Sequence, residues 1–501
     1  MGFFSTKKSR AAKAAKAEAE TAAAAAAAAA AVTAAAADEE TPLMTTGGSG
    51  KGNNDPITDL DEALVACNSN PGRYQIWLLI AGGAGLMADA MEVTLLGFLY
   101  SCLKVYWDLP TYTADLIVSS VFAGELIGAI VAGPLADRYG RKPLTLAGFS
   151  IVAIAGLLSV FSPNATFFIA CRTVTGVGIG MFAVPFDLVS ECMTAEWRGW
   201  ALVLYEFWWV AGSFYTIAMA QWMVQSSWGW RGMVFMCAIP MVLATAALYM
   251  IHESPRWLLS QGRVAEAEAV VRRIGATNGV DVDPAVLKLA LRSFSEDDET
   301  VGRASGDPRK IFAWAQLPVT AALSVVWPIM AFSFYGISLL LVRVSGESDD
   351  DCSFDYAYLY GTYSTEILGT ILLYFSIDRL GRVSSNVLFY LVAGAFVALL
   401  GWTAWVHMEN VALYAGCVSL AAIMAAATAT WVVTPELFDT DIRSTGHAYC
   451  NSLGRIGAFF ASYFVDSSVS MVYVGSGLGI LCAVAAAAAS TLPETARKKL
   501  H

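Results

Sequence analysis

The sequence predicts an all-α membrane protein, with twelve transmembrane helices in two pseudo-symmetric six-helix bundles. Three observations carry this. Hydrophobic residues make up 56% of the 501 positions and charged residues only 15%, whereas a soluble domain is nearer a quarter charged. Apolar runs recur that are long enough to cross a hydrocarbon layer of about 30 Å as helix. A short charged constellation, first seen in "DRYGRKP" at 137–143, returns as "DRLGR" at 378–382, 241 positions later.

Residues 1–74 stand apart and read as a disordered cytoplasmic tail. Lys7, Lys8, Arg10, Lys13 and Lys16 precede an alanine tract, followed by Asp38, Glu39, Glu40 and "TTGGSGKGNN". Low complexity and turn residues argue against a packed structure. "GGSGKG" is read as linker, because a phosphate loop needs Gly where Thr45 stands and Ser or Thr where Gly52 stands. "MGFFST" formally fits a myristoylation signal, and the Lys/Ala/Ser start is also compatible with a transit peptide.

Twelve spans follow, at roughly 75–100, 114–136, 143–161, 165–190, 198–224, 231–251, 314–343, 355–377, 383–406, 411–434, 443–466 and 471–492. The expected organisation is an N-terminal bundle (75–251), a cytoplasmic linker with amphipathic helices (252–311), a C-terminal bundle (312–492) and a cytoplasmic tail (493–501). In the linker, "RVAEAEAVVRRI" has amphipathic helical spacing. Lys and Arg bias sets orientation. Arg138, Arg141, Lys142, Arg198, Arg379, Arg382 and Arg443 fall in alternate connections, on the side of the linker and of Arg497, Lys498 and Lys499. The opposite loops hold Glu347, Asp349, Asp350 and Asp351. Both termini are therefore expected in the cytoplasm, and Asn164 of "NAT" outside, within reach of N-glycosylation.

The duplicated turn has companions. Glu191 and Arg198 lie seven apart after the fourth span, and Glu436 and Arg443 lie seven apart after the tenth. Glu253 follows the sixth span and Glu494 the twelfth. One charge set recurring in one order implies two six-helix halves.

These residues also resemble a known family. "GPLADRYGRKPLT" (133–145), "RTVTGVGIG" (172–180) and "ESPRWLLSQGR" (253–263) are similar to signatures of the major facilitator superfamily, over about 75–499. The resemblance implies two bundles that rock about a midplane cavity. "MADAMEVTLLGFL" (87–99) and "LYEFWWVAGSF" (204–214) look most like the branch of synaptic-vesicle-2-related proteins and proton-coupled metabolite or organic-ion symporters. His252 stands where sugar porters usually have Pro, and the seventh span has no paired-Gln motif.

The repeated charges fit a cytoplasmic gate. Asp137, Arg138, Arg141, Glu191, Arg198 and Glu253 form one set; Asp378, Arg379, Arg382, Glu436, Arg443 and Glu494 form the other. Guanidinium forks bind carboxylates bidentately. A network of such pairs, made when that side closes, biases an equilibrium between states that differ by a few kcal/mol. Setting topology alone would need no Asp or Glu.

Asp89, Glu92, Glu125, Arg172, Asp187, Glu206, Glu366 and Arg455 fall inside apolar runs. Each would cost roughly 2.5–3.5 kcal/mol at the bilayer centre, so they are expected to face a cavity or one another. Asp89 and Glu92, three apart, share a helical face. Asp89 is the candidate proton carrier, with Glu92 and Glu206 as alternates and a structural pair with Arg172 as the plainer reading. Arg172, on a face with Gly176 and Gly180, reads as a partner for a buried acid. The organic-anion branch that "NSLGRIGAFF" resembles places an Arg at position 455 against a substrate carboxylate; the alternative is an internal bridge to Glu366 or Asp89. Glu125, Asp187 and Glu366 are further buried charge partners. Tyr363 and Trp431 are the mid-span aromatics chosen for stacking a planar substrate.

The sequence therefore reads as a secondary active transporter of a small organic ion. Proton-coupled uptake of a carboxylated metabolite is the first choice, and an organic cation carrier or a non-transporting receptor or vesicle protein on the same fold are the alternatives. Net charge of −11 argues against nucleic acid as a partner. The nine cysteines form no C-x-x-C pair, so zinc and redox chemistry have no support and no cofactor or metal is expected. Cys102 and Cys352 are both placed on the outer side, where they can pair. The expected partners are the substrate, the proton and the bilayer of a plasma membrane or endomembrane, with the chain a monomer.

Overall fold

The structure, a computed structural model, describes residues 60–67, 71–282, 307–345, 352, 354–465 and 469–496. All belong to one compact unit, Ile57–His501; none of the other unit, Met1–Pro56, is among them. The phosphate-loop and myristoylation look-alikes, the acidic residues 347–351 and the basic residues 497–499 lie outside the described residues.

A short helix α1 (Leu60–Ala66) precedes the first bundle. That bundle comprises α2 (Arg73–Tyr106), α3 (Thr111–Tyr139), α4 (Arg141–Val160), α5 (Ala165–Gly180), α6 (Ala183–Cys192), α7 (Arg198–Met223) and α8 (Gly229–Leu248). The linker carries α9 (Pro255–Ser260), α10 (Val264–Asn278) and a 3₁₀ turn (Pro308–Phe312). The second bundle comprises α11 (Leu317–Ser345), α12 (Tyr356–Ser376), α13 (Arg382–Trp405), α14 (Glu409–Leu437), α15 (Arg443–Phe464) and α16 (Met471–Ala489). Helices α5 and α6 are two pieces of one span. Pro185 lacks an N–H and crowds the carbonyl four residues back, at Met181, where the helix breaks. With that span counted once, the bundles hold six spans each. Ten are long and apolar enough by composition to cross a membrane; α12 and α15 fall below that mark because their sequences carry more polar residues.

The repeated motif makes the same turn twice. Gly140 and Gly381 adopt φ of 110° and 92°, a region closed to most side chains. Gly140 ends α3 and starts α4, and Gly381 starts α13 after a short turn that follows α12. Glu253 accepts the first backbone N–H groups of α4, from Arg141 at 3.0 Å and Lys142 at 3.2 Å. Glu494 does the same for α13, from Arg382 at 2.9 Å and Val383 at 3.1 Å. A carboxylate at a helix N-terminus satisfies orphan donors and complements the dipole. The face carrying these turns is called the latch face below.

Small residues let α3 and α5 touch through their backbones. A Cβ on Gly176 would lie 2.2 Å from the Val121 carbonyl oxygen. Between bundles, α15 packs on α3 and α6, and α12 and α14 pack on α7. On the opposite face a disulfide joins Cys102, near the end of α2, to Cys352, just before α12, with the Cα atoms 4.6 Å apart.

Part of the segment read as disordered tail is ordered. Helix α1 buries Leu60, Ala63 and Leu64, and α10 buries Ala267, Val270, Val271 and Ile274, the apolar positions of its amphipathic stretch. Asn278 ties them together, accepting from the Tyr74 N–H at 2.9 Å and donating to the Cys67 carbonyl at 2.9 Å. Asp61 of α1 reaches Arg256 at 2.6 Å. The tail reading failed here because seven residues are too few to display a helical period convincingly, and their partners lie some two hundred positions away.

Candidate functional site

A cavity lies between the bundles. Helices α2, α7, α11, α14 and α15 wall it, with Asp89, Glu206, Trp209, Trp327, Tyr335, Trp431, Asn451 and Arg455 among the lining residues. Arg455 is the cation in its wall. Its Nη2 lies 2.5 Å from Asp89 Oδ2 and its Nη1 3.0 Å from Glu125 Oε2. Asp89 and Glu125 belong to the first bundle and Arg455 to the second, so the bond spans the interface. Glu206 is buried, and its Oε1 has no hydrogen-bond partner. Two carboxylates thus share one guanidinium, and Glu206 lines the same cavity without contacting it.

Glu92 does not join this group. Arg172 Nη1 holds both Glu92 oxygens at 2.7 Å, and its Nη2 donates to Ser159 Oγ at 2.5 Å. Glu92 and Arg172 line a separate cavity inside the first bundle, with Val152, Val234 and Cys237. Helical positions three apart differ by roughly 60° around the axis, enough for Asp89 to face the second bundle and Glu92 to face its own. The expectation that both serve one site is corrected, as is the pairing of Asp89 with Arg172.

Trp431 lines the central cavity; Tyr363 does not. Tyr363 instead lies beside Thr94. Glu366 is buried beside Trp209, with Oε2 unpartnered, and does not bridge to Arg455. Asp187 meets His447 of the second bundle, Oδ1 to Nδ1 at 2.6 Å. His447 is absent from the sequence-derived set. A signal existed: His447, Asn451 and Arg455 recur every four residues, a polar stripe along one face of an otherwise membrane-spanning helix.

On the latch face, Arg141 binds Asp137 at 3.0 Å and Glu191 at 3.1 Å. Arg382 repeats this with Asp378 and with Glu436 at 3.3 Å. Four contacts cross between bundles among the described residues. Arg141 donates to the Thr440 carbonyl at 2.8 Å. Arg443 binds Glu191 at 2.8 Å. Arg198 approaches Glu436 at 4.0 Å. Asp137 accepts from the first turn of α15, from the Ser444 N–H at 3.3 Å, the Thr445 N–H at 2.8 Å and the Thr445 hydroxyl at 2.6 Å. Four assigned gate residues behave otherwise. Arg138 and Arg379 are exposed and join no ion pair among the described residues. Adjacent helical residues point about 100° apart, and in α3 the inward direction is taken by Asp137; Arg379 lies in the turn that follows α12. Glu253 and Glu494 cap helices within their own halves.

A family model described as sugar (and other) transporter matches residues 68–501. The chain belongs to the sugar (and other) transporter family. Among curated members, the organic cation/carnitine transporter 7 of Arabidopsis thaliana is 29% identical over 436 residues, covering 79% of this chain and 86% of that one. The synaptic vesicle 2-related protein of Bos taurus is 29% identical over 440 residues, covering 83% and 78%. Among solved structures, the major facilitator superfamily proton:xylose symporter XylE, bound to 6-bromo-6-deoxy-D-glucose, superposes with a TM-score of 0.72 at 20% identity, over 85% of this chain and 98% of that one. The fold is therefore that of the major facilitator superfamily, and this member of the sugar (and other) transporter family is a membrane transporter and not an enzyme. His252, which takes the place of a proline usual in sugar porters, stacks on Tyr74 with ring centroids 5.7 Å apart.

Proposed function

We propose that the chain carries a small organic cation through the membrane by alternating access, as a monomer, with Asp89 as the proton-coupling group. The observation that carries this is the charge of the central cavity. Arg455, its guanidinium, is taken up by Asp89 and Glu125. Glu206 stays unpaired at Oε1 beside Trp209, Trp327, Trp431 and Tyr335. A carboxylate among aromatic faces suits a desolvated ammonium, which aromatic quadrupoles attract. A relative named for organic cation and carnitine transport supports the same reading. The latch face is taken as cytoplasmic on its arginine content.

Proton coupling follows from the bond that spans the interface. While Asp89 is ionised, Arg455 ties α2 to α15. A proton on Asp89 removes that attraction and loosens the bundles around the cavity. The bond then re-forms when the proton leaves.

A second reading, proton-coupled uptake of a carboxylated metabolite, rests on Arg455 lining the cavity with its Nε unpartnered. Protonation of Asp89 would free part of the guanidinium fork for a substrate carboxylate.

Uptake into proteoliposomes separates the two. Under an imposed proton gradient, the cation reading expects accumulation of radiolabelled choline or tetraethylammonium, lost in Glu206→Gln, with Asp89→Asn uncoupling uptake from the gradient. Accumulation of benzoate instead, lost in Arg455→Lys, establishes the second reading. Specific binding of either probe without flux would overturn both in favour of a receptor.

A further inference from the structure

We propose that Asp187 and His447 form a second proton-binding site, separate from Asp89, which couples closure of the latch face to uptake of one proton. The proposal rests on the alternating-access reading and adds a site to it.

The two residues meet across the bundle interface at 2.6 Å, and neither side chain is exposed. Asp187 lies on α6 and His447 on α15. The imidazole is enclosed by rings: Trp431 at 5.0 Å, Phe186 at 5.6 Å and Trp327 at 5.7 Å between centroids. Trp327 and Trp431 are also cavity walls. Two and three residues before His447, Thr445 and Ser444 hold Asp137 of the latch. The pair therefore sits between the substrate cavity and the latch, on a helix that touches both.

Its surroundings set the direction of coupling. Asp137 of α3, Arg141 of α4 and Tyr205 of α7 lie close enough to act on Asp187 electrostatically. Arg141 is already bound to Asp137 and Glu191. Arg443, on the same helix as His447, is bound to Glu191. The groups that α11 and α14 present to His447 are Trp327 and Trp431, which carry no charge. Asp187 Oδ2 and His447 Nε2 have no partner.

With a neutral imidazole, the pair leaves one negative charge in a dry pocket, which is costly. A proton on the imidazole converts it to a neutral ion pair and strengthens its hydrogen bond. Opening the latch face would separate the partners and admit water, removing the reason to hold the proton. Imidazole is the side chain whose ordinary titration falls between pH 5 and 8. Closure thus takes up a proton and opening releases it on the latch side. The charge balance is complete: one proton moves from water to the imidazole and back.

Double electron–electron resonance on the full chain in nanodiscs tests this. Spin labels at Tyr139→Cys and Asp439→Cys, both exposed on the latch face, report the distance between bundles in a Cys192→Ser, Cys417→Ser background. The expected result is growth of the short-distance population as pH falls from 8 to 5, with loss of that response in His447→Gln and in Asp187→Asn and its retention in Asp89→Asn. A pH response retained in His447→Gln overturns the proposal. Should that variant fail to fold, a response retained in Asp187→Asn with the parent's midpoint does the same. Loss of the response only in Asp89→Asn overturns the second site while leaving the transport reading intact. A single distance in every variant at every pH overturns both.

Discussion

Arg443 of the second bundle reaches Glu191 of the first at 2.8 Å, and both side chains are wholly buried. Glu191 is also held by Arg141 at 3.1 Å, so one carboxylate joins guanidiniums from both halves. A buried ion network stabilises the arrangement that completes it, because removing any member strands the others without water.

Glu191→Gln should therefore favour the state in which the latch is open. Truncating one partner of a buried pair costs about 3–5 kcal/mol, and here that cost falls on the closed state. Cys192 is next in sequence and fully buried. Its reactivity toward a membrane-impermeant maleimide should rise by an order of magnitude or more in Glu191→Gln and in Asp137→Asn. Unchanged Cys192 labelling in both variants would contradict a latch.

Arg172 and Glu92 should prove structural. Arg172→Met leaves Glu92 buried without its counter-ion and should lower stability by about 3–5 kcal/mol. The double change Arg172→Met with Glu92→Leu should recover most of it. Thermal unfolding in detergent measures both. The apparent KM of any substrate should stay within a factor of about two, since this pair lies outside the central cavity; a larger change would place Glu92 in transport.

Backbone contact between α3 and α5 predicts a sharp glycine requirement. Gly176→Ala places its Cβ 2.2 Å from a carbonyl oxygen, and overpacking of this kind costs about 1–3 kcal/mol. Gly361→Ala is the control, because a Cβ there meets nothing within 4 Å. It should be neutral, or stabilising by up to about 1 kcal/mol through helix propensity. Equal melting temperatures for the two variants would rule out the close approach.

The Cys102–Cys352 disulfide should clamp the face opposite the latch. Bonds of this kind typically contribute about 2–4 kcal/mol. Reductant, or Cys102→Ser with Cys352→Ser, should lower the melting temperature, and the double variant should no longer respond to reductant. A parent protein whose melting ignores reductant at a fully reduced thiol count would show that the clamp carries no stability.

Much of the architecture was readable in one dimension because its causes are local. Span length follows from bilayer thickness. The turn at Gly140 and its copy at Gly381 follow from backbone sterics, and the shared spacing of Asp137, Arg141 and Glu253 with Asp378, Arg382 and Glu494 revealed the two halves. Even the Cys102–Cys352 pairing could be anticipated from sidedness. The α5–α6 break at Met181 had a visible cause in Pro185 and could have been anticipated as well.

The sequence alone determined that eight charges must be sheltered from lipid, since insertion cost depends only on depth and residue type. Which acid meets which base was decided by tertiary structure. Asp89 and Glu92 are near-identical in sequence context, yet one binds Arg455 and the other Arg172, because a rotation of some 60° around α2 separates the bundle interface from the bundle interior. His447 acquired its partner the same way: nothing near position 447 announces Asp187, and only the packing of α15 against α6 brings them together. Insertion energies are single-residue quantities, whereas ion pairing between helices requires the relative placement of two chain segments, which no local pattern encodes.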